Sequence, residues 1–295
     1  MFIRKSIYVR RSMLMTPGNR PDRIMKATSL PCDSLVIDLE DSIPPAEKCA
    51  ARQITCETIQ TLRRNRQEIC VRINGLDTPY GLEDLSALPL SMIDSLMIPK
   101  VESSHSLLLL EERLNSLHAD RDQQHPLQLI VMLETPRGIL NALSISDMLP
   151  RTKALFFGSG DYCSATGAKI SANTLHFPRS VVTAAAAACN IQAIDAAFFE
   201  RVKDAEATQA DAIIAREFGF CGKVVFHPNQ IDVVNQIFSP SAAEIEAAEK
   251  LILGYQESIK KGFGTAVVDG TFVAVDLIGP AQRTLDLAHH LKMTK

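Results

Sequence analysis

Two carboxylates stand where a hard cation would be held. Glu134 follows the apolar run Leu129–Leu133, and Asp161 follows Phe156-Phe157-Gly158-Ser159-Gly160. With no His or Cys motif near either, these oxygen ligands suit Mg²⁺ before Zn²⁺. Taken singly, each has a plainer reading: Glu134 as the cap of a helix beginning near Pro136, Asp161 as the organiser of a turn. On adjacent strand ends the pair reads better as a metal site. Arg72, in Val71-Arg72-Ile73-Asn74-Gly75, ends an apolar strand, where a charge is costly unless paired. Its planar fork suits a substrate carboxylate; the alternative is a structural salt bridge with Glu40 or Asp41.

Four other positions carry weaker signals. Thr16-Pro17-Gly18-Asn19-Arg20 turns into a helix bearing Arg23 and Lys26, which is either a phosphate site built on helix amides or a solvated basic face. Lys100, after Met97-Ile98-Pro99, is either a Schiff-base lysine or the partner of neighbouring acids. His227, in Phe226-His227-Pro228-Asn229, touches ligand or caps the helix that follows. Cys163 has no base nearby in sequence and reads as inert.

The elements that must position these residues alternate along the chain. Short apolar runs at Ser12–Thr16, Leu35–Leu39, Ile69–Ile73, Ser95–Ile98, Leu127–Leu133, Ala154–Phe157, Ile191–Ala193 and Lys223–Phe226 read as strands. Helical patterns lie between them: Leu107, Leu110, Leu114 and Leu117 mark one face, and Pro45–Leu62 and Ala205–Phe218 read the same way. Eight near-continuous apolar strands separated by helices predict an α/β fold, a (β/α)8 TIM barrel, with its chemistry at the C-terminal strand ends. Those ends carry Asn19, Arg20, Glu40, Asp41, Arg72, Lys100, Glu134, Asp161, Asp195 and His227.

The barrel is expected over residues 1–240. A C-terminal extension, 241–295, follows: a capping box at Ser241-Ala-Ala-Glu244 opens a helix to about Lys261, then two β-like pieces (Ala266–Val268, Thr271–Val275) flank Asp269-Gly270, and a last helix covers about Pro280–Leu291. Outside the eightfold count, it is expected to pack on a neighbouring subunit.

Composition excludes several partners. At 295 residues with a formal charge of −3 there is no basic footprint for nucleic acid. The densest cluster, Arg63, Arg64 and Arg66, ends a predicted helix and offsets its dipole. No apolar stretch is long enough for a signal peptide or a membrane span, and the Arg-rich start (Arg4, Lys5, Arg10, Arg11) leaves little room for an organelle presequence before the first strand. Seven cysteines without a Cys-x-x-Cys pair suggest reduced thiols, so a cytoplasmic protein is expected.

Several motifs together resemble the citrate lyase β-subunit family of citryl-CoA, malyl-CoA and citramalyl-CoA lyases, among the HpcH/HpaI-type metal-dependent aldolases. They are Pro17-Gly18-Asn19-Arg20-Pro21-Asp22-Arg23, Asp38-Leu39-Glu40-Asp41, Val71-Arg72-Ile73-Asn74-Gly75-Leu76-Asp77-Thr78-Pro79, Pro99-Lys100-Val101-Glu102-Ser103, Glu134-Thr135-Pro136-Arg137-Gly138 and His227-Pro228-Asn229-Gln230-Ile231. The resemblance implies Glu134 and Asp161 as Mg²⁺ ligands and Arg72 as the grip on a keto-acid carboxylate. It also implies coenzyme A contacts at Arg20 and Lys26, to which His227 is added as a candidate, and an Asp276 that reaches a neighbouring subunit's site. It implies a homo-oligomer, a trimer favoured, and allows an acyl carrier protein as partner. One departure is Ser159-Gly160-Asp161-Tyr162-Cys163, where the family commonly has Ala-Glu-Asp.

The reaction implied is a retro-Claisen cleavage of a 3-hydroxyacyl-CoA to acetyl-CoA and a keto acid. Glu40 or Asp41 orients Arg72 or acts as base, and Asp276 is the acid that protonates the enolate. The small Ser159-Gly160 pair leaves room for a methyl or carboxymethyl group, which favours citryl-CoA or citramalyl-CoA. The rivals are a malyl-CoA lyase, a β subunit active only within a citrate lyase complex, and a class I aldolase using Lys100.

Overall fold

The computed structural model describes residues 8–62, 66–117 and 126–293. Eight strands occur where the apolar runs predict them: β1 (Ser12–Pro17), β2 (Ser34–Asp38), β3 (Glu68–Arg72), β4 (Ser95–Ile98), β5 (Gln128–Leu133), β6 (Thr152–Phe157), β7 (Gln192–Asp195) and β8 (Gly222–Val225). Each pairs in parallel with the next, and β8 returns to β1 with Lys223 opposite Ser12, so the sheet closes in sequence order. Bounds move by at most two residues from the expected ones, in either direction, as strand ends commonly do.

Every strand sends a side chain into one central cluster: Met13, Val36, Cys70, Met97, Ile130, Ala154, Ile194 and Val224. Since side chains alternate along a strand, these residues set which others point inward. Asp38 shares the side of Val36, Arg72 that of Cys70, and Glu134 that of Ile130 and Met132.

The floor of the barrel is polar. Arg10 is fully buried; its Nε and Nη2 donate to Glu68 at 2.8 and 2.6 Å, its Nη2 to Gln128 at 2.8 Å and its Nη1 to Gln192 at 2.7 Å. Ser34 adds a 2.6 Å bond to Glu68. The first residues of β3, β5 and β7 thus converge on one guanidinium, and burial is offset by a bidentate pair with further acceptors around it. Gly222 allows this: a Cβ there would stand 1.8 Å from the carbonyl oxygen of Arg10.

In the helical shell, Leu107, Leu110 and Leu114 are the buried face of Ser104–Ser116, as their spacing predicts, while Leu117 falls just past it as the half-buried C-cap. The helix expected over Pro45–Leu62 is a 3₁₀ turn, Pro45–Glu47, leading into Lys48–Thr61. Arg63 and Arg64, beyond its end, lie outside the described residues, as do Arg4 and Lys5. The seven cysteines form no disulfide; burial pushes the Cys32 and Cys221 thiols up to about 12. Among the described residues, no helix is long and apolar enough to cross a membrane.

The chain divides into two compact units between Gln236 and Ile237. In the second, Ser241 and Glu244 form the expected capping box: Glu244 N–H donates to Ser241 Oγ at 3.2 Å, and Ser241 N–H to Glu244 Oε2 at 2.7 Å. They open the helix Ala242–Lys260. A hairpin of β9 (Ala266–Val268) and β10 (Thr271–Val273) turns at Asp269 (φ 49°) and Gly270 (φ 81°), the left-handed pair that a two-residue hairpin needs. The last helix, Val275–Met293, differs from expectation by starting ahead of Pro280 and carrying that proline inside. Asp276 consequently sits in a first helical turn, where the helix dipole favours a carboxylate, rather than at a strand end.

Removing one partner from the buried floor leaves a charge uncompensated. Arg10→Met should lower unfolding free energy in urea by about 3–5 kcal/mol. Adding Glu68→Met should restore most of that loss. A single variant within about 1 kcal/mol of the parent would show that the floor is not a stabilising unit.

Candidate active site at the mouth of the barrel

The C-terminal ends of β2 to β6 gather most of the chemistry that the sequence singles out. Arg72 is the hub. Its Nε and Nη2 donate to Asp38 Oδ1 and Oδ2 at 2.6 and 2.8 Å, and its Nη1 lies 3.0 Å from Glu40 Oε2 and 3.9 Å from Asp41. Burial opposes the Arg72 charge, but Asp38 and then Glu40 outweigh it and hold its pKa above the ordinary arginine value. Asp38, also buried, falls below the usual carboxylate range: burial works against its charge, and Arg72 prevails. The backbone N–H groups of Glu40 and Ser42 donate to the same carboxylate at 2.9 and 3.1 Å.

The salt bridge expected between Arg72 and Glu40 or Asp41 therefore exists, but its principal member, Asp38, was missing from the expected set. The signal for it was present: Asp38 pairs with Arg72 in the β2–β3 register, and both point inward. A guanidinium carries five N–H donors. Two bind Asp38 and one faces Glu40, which leaves two on the fork for another anion.

Glu134 is 1% exposed, and its Oε1 accepts the Lys100 N–H at 2.9 Å. Burial, then Glu40 and Asp161, push its carboxyl up to about 8. Such a group is poorly accommodated as a lone anion, and a cation beside it would remove the penalty. Gly158 is what lets the β6 backbone pass: a Cβ there would meet Glu134 Cβ and Oε2, both at 2.5 Å. Asp161 stands in the first turn of the helix Ser159–Thr166. No group of three or more His, Cys, Asp or Glu side chains forms a metal cage among the described residues. Two carboxylates suit Mg²⁺, which keeps several positions for water and substrate. The donor set fits that ion.

Lys100 adopts φ 52°, a left-handed backbone that costs a lysine about 1–2 kcal/mol. Its Nζ donates to Glu40 Oε1 at 2.8 Å and lies 3.7 Å from Asp41. Burial opposes its charge, but Glu40, Asp41 and Glu134 together raise its pKa above the ordinary value. A Schiff-base lysine needs the opposite shift, so the class I reading loses its support.

Elsewhere the strand-end residues diverge. Asp195 faces away from Ile194, out of the barrel, and is bound by Arg179 Nη2 at 2.8 Å and by Lys223 Nζ. Asp211 completes this buried cluster between strands and helices, 2.8 Å from Lys223. It is structural, and its place on the strand-end roll is corrected by the two-residue alternation. Arg20 is exposed after β1, held bidentately by Asp22 at 2.9 and 2.8 Å; Lys26 is exposed on the same seven-residue helix, Pro21–Ala27. His227 Nδ1 accepts the Asn229 N–H at 3.2 Å, the capping role. Cys163 is buried, and its thiol is pushed up by burial, consistent with inertness. A cleft of about 180 Å³ opens between the ends of β6 and β7, lined in part by Ser159, Ile170, Ala197 and Phe199. It adjoins the wall bearing Asp161 without including Glu134 or Arg72.

A family model described as HpcH/HpaI aldolase/citrate lyase matches residues 11–228. The chain belongs to this family. Within it, the citrate lyase subunit beta of Leuconostoc mesenteroides subsp. cremoris is 32% identical over 286 residues, spanning 95% of this chain and 94% of the relative. The mitochondrial citramalyl-CoA lyase of Homo sapiens is 32% identical over 295 residues, spanning 96% and 86%. The protein CitE of Mycobacterium tuberculosis, in complex with magnesium, acetoacetate and coenzyme A, shares the fold with a TM-score of 0.75 at 26% identity, over 95% and 98% of the chains.

Asp38 and Asp41 are three residues apart and differ in energetic standing. Asp38→Ala should cost about 3–5 kcal/mol in urea denaturation, because it strands a buried guanidinium. Asp41→Ala, at an exposed position, should change stability by no more than about 0.5 kcal/mol. Equal losses at the two positions would contradict Arg72–Asp38 as the anchor.

Proposed function

We propose that this chain is a Mg²⁺-dependent carbon–carbon lyase, cleaving citryl-CoA or citramalyl-CoA to acetyl-CoA and oxaloacetate or pyruvate. The observation that carries this reading is one mouth holding buried Glu134, Asp161 beside it, and an Arg72 fork with two uncommitted donors. Family membership and the coenzyme A thioester named for the human relative support it.

Glu134 and Asp161 would hold Mg²⁺, which when bound supplies Lewis-acid stabilisation of charge developing on the substrate oxygens. Arg72 orients the carboxylate beside the hydroxyl-bearing carbon through its free donors. Asp41 takes the hydroxyl proton: it is exposed and only distantly paired, whereas both Glu40 oxygens lie against Lys100 or Arg72. As the carbonyl forms, the C–C bond breaks and its electron pair passes into the thioester enolate. Asp276 of a second copy of the chain donates the proton that gives acetyl-CoA. Exposed Phe263, Val267, Phe272 and Val275 on the C-terminal unit support a homo-oligomer, for which a trimer is favoured. Arg20, Lys26 and His227 are the groups proposed to meet coenzyme A.

A second reading places the chain inside a citrate lyase complex, acting on a thioester carried by an acyl carrier protein. The subunit relative matched over 94% of its length favours it. Purified chain should be offered citryl-CoA, citramalyl-CoA and malyl-CoA, with and without EDTA, and acetyl-CoA release followed. EDTA-sensitive cleavage of one substrate supports the lyase and names its keto acid. Turnover only with carrier-bound thioester supports the complex, and EDTA-insensitive turnover defeats both.

Glu134→Ala should abolish turnover and the thermal stabilisation by Mg²⁺, which in the parent is about 2.7 kcal/mol at a hundredfold excess over Kd. Asp41→Asn should lower kcat about 10²–10⁴-fold with Mg²⁺ stabilisation intact; near-normal kcat would remove Asp41 as base.

A further inference from the structure

Lys100 is used twice, through two different atoms, and neither use is nucleophilic. Three non-glycine residues have positive φ among the described residues: Lys100, Asn190 and Asp269. Asn and Asp tolerate that backbone readily; for lysine it is strained. Glycine would adopt it without strain and keep the backbone N–H on Glu134. A lysine there adds only the ammonium, which reaches Glu40 Oε1 at 2.8 Å and remains half-exposed at the mouth.

That ammonium matters because the mouth is acidic. Five carboxylates, Asp38, Glu40, Asp41, Glu134 and Asp161, stand against three cations, Arg72, Lys100 and Lys48. Lys48 is committed to the backbone, its Nζ donating to the carbonyl oxygens of Leu39 and Glu40 at 2.8 and 2.6 Å. A bound divalent cation brings the two signs level. Without Lys100 the loaded mouth stays negative just where a substrate carboxylate must approach Arg72.

We propose that Lys100 is a positioning residue for the substrate carboxylate: its N–H fixes Glu134, while its ammonium pins Glu40 on Arg72 and offsets the acidic mouth. The proposal rests on the lyase reading for its substrate and has a signature of its own. Loss of the ammonium weakens the anionic substrate and leaves the cation site as tight or tighter. A prop that merely holds the fold would weaken both.

The test uses the full chain as Lys100→Met, Lys100→Gly and Lys100→Arg beside the parent. Calorimetry with Mg²⁺ alone, then with pyruvate or oxaloacetate on Mg²⁺-loaded protein, accompanies kcat and KM on the thioester that the parent cleaves. Lys100→Met and Lys100→Gly should weaken keto-acid binding and raise KM about tenfold, the effect of one half-exposed charge near the anion. Mg²⁺ affinity should be unchanged or tighter, and Lys100→Gly should melt no lower than Lys100→Met, since both lose the ammonium and the glycine is relieved of backbone strain. Lys100→Arg should recover keto-acid binding to within about threefold, since it restores the charge.

Keto-acid affinity within twofold of the parent in Lys100→Met overturns the proposal. So does joint loss of Mg²⁺ binding and melting temperature, as does borohydride trapping of pyruvate on the parent at Lys100. If the parent cleaves no thioester, the lyase reading fails while the calorimetry still decides Lys100. A parent that binds neither keto acid overturns both.

Discussion

The pairing of Arg72 with Asp38 is the constraint around which the mouth is organised. Both side chains are buried, and two parallel hydrogen bonds fix their relative orientation. A guanidinium there without Asp38 would be an uncompensated charge in the barrel. Once it is paired, the contacts run outward strand by strand: Arg72 to Glu40, Glu40 to Lys100, and the Lys100 backbone to Glu134. Four consecutive strand ends are thereby held in one polar lattice before any ligand arrives.

The barrel interior is layered in polarity. Arg10 and its acceptors close the floor, an apolar belt from all eight strands fills the middle, and the carboxylates crowd the top. The floor is closed off: one fully buried cation meets a carboxylate and two amides. The top carries more acid than base and is complete only with added positive charge. The same two-residue alternation builds both layers, so stability and reactivity sit at opposite ends of the same strands.

Much of this was legible in the sequence, and what was not has physical causes. The eight strands and the Leu107–Leu110–Leu114 face followed from periodicity, which burial enforces. Glu134 and Asp161 were readable as strand-end carboxylates. Asp38 was not singled out because it closes an apolar run and its partner is distant in sequence; only the β2–β3 register reveals the pair. Asp195 misled for the converse reason, since a strand end says nothing of facing until the alternation is traced inward from Ile194. The left-handed backbone of Lys100 was invisible, lysine being an unusual occupant of that region. The early start of the last helix was masked by Pro280, which normally marks a first turn.

The outward turn of Asp195 takes the strand-end charge of β7 away from the mouth, and exposed Phe226 follows β8. The rim is therefore two-sided. Acid is concentrated on the arc from β2 to β6, while Arg20, Arg23 and Lys26 stand exposed after β1. An elongated anion meeting this rim feels a gradient across it as well as an attraction at one point. Charge at this rim is thus laid out by strand position, acid along one arc and base beside the neighbouring strand end.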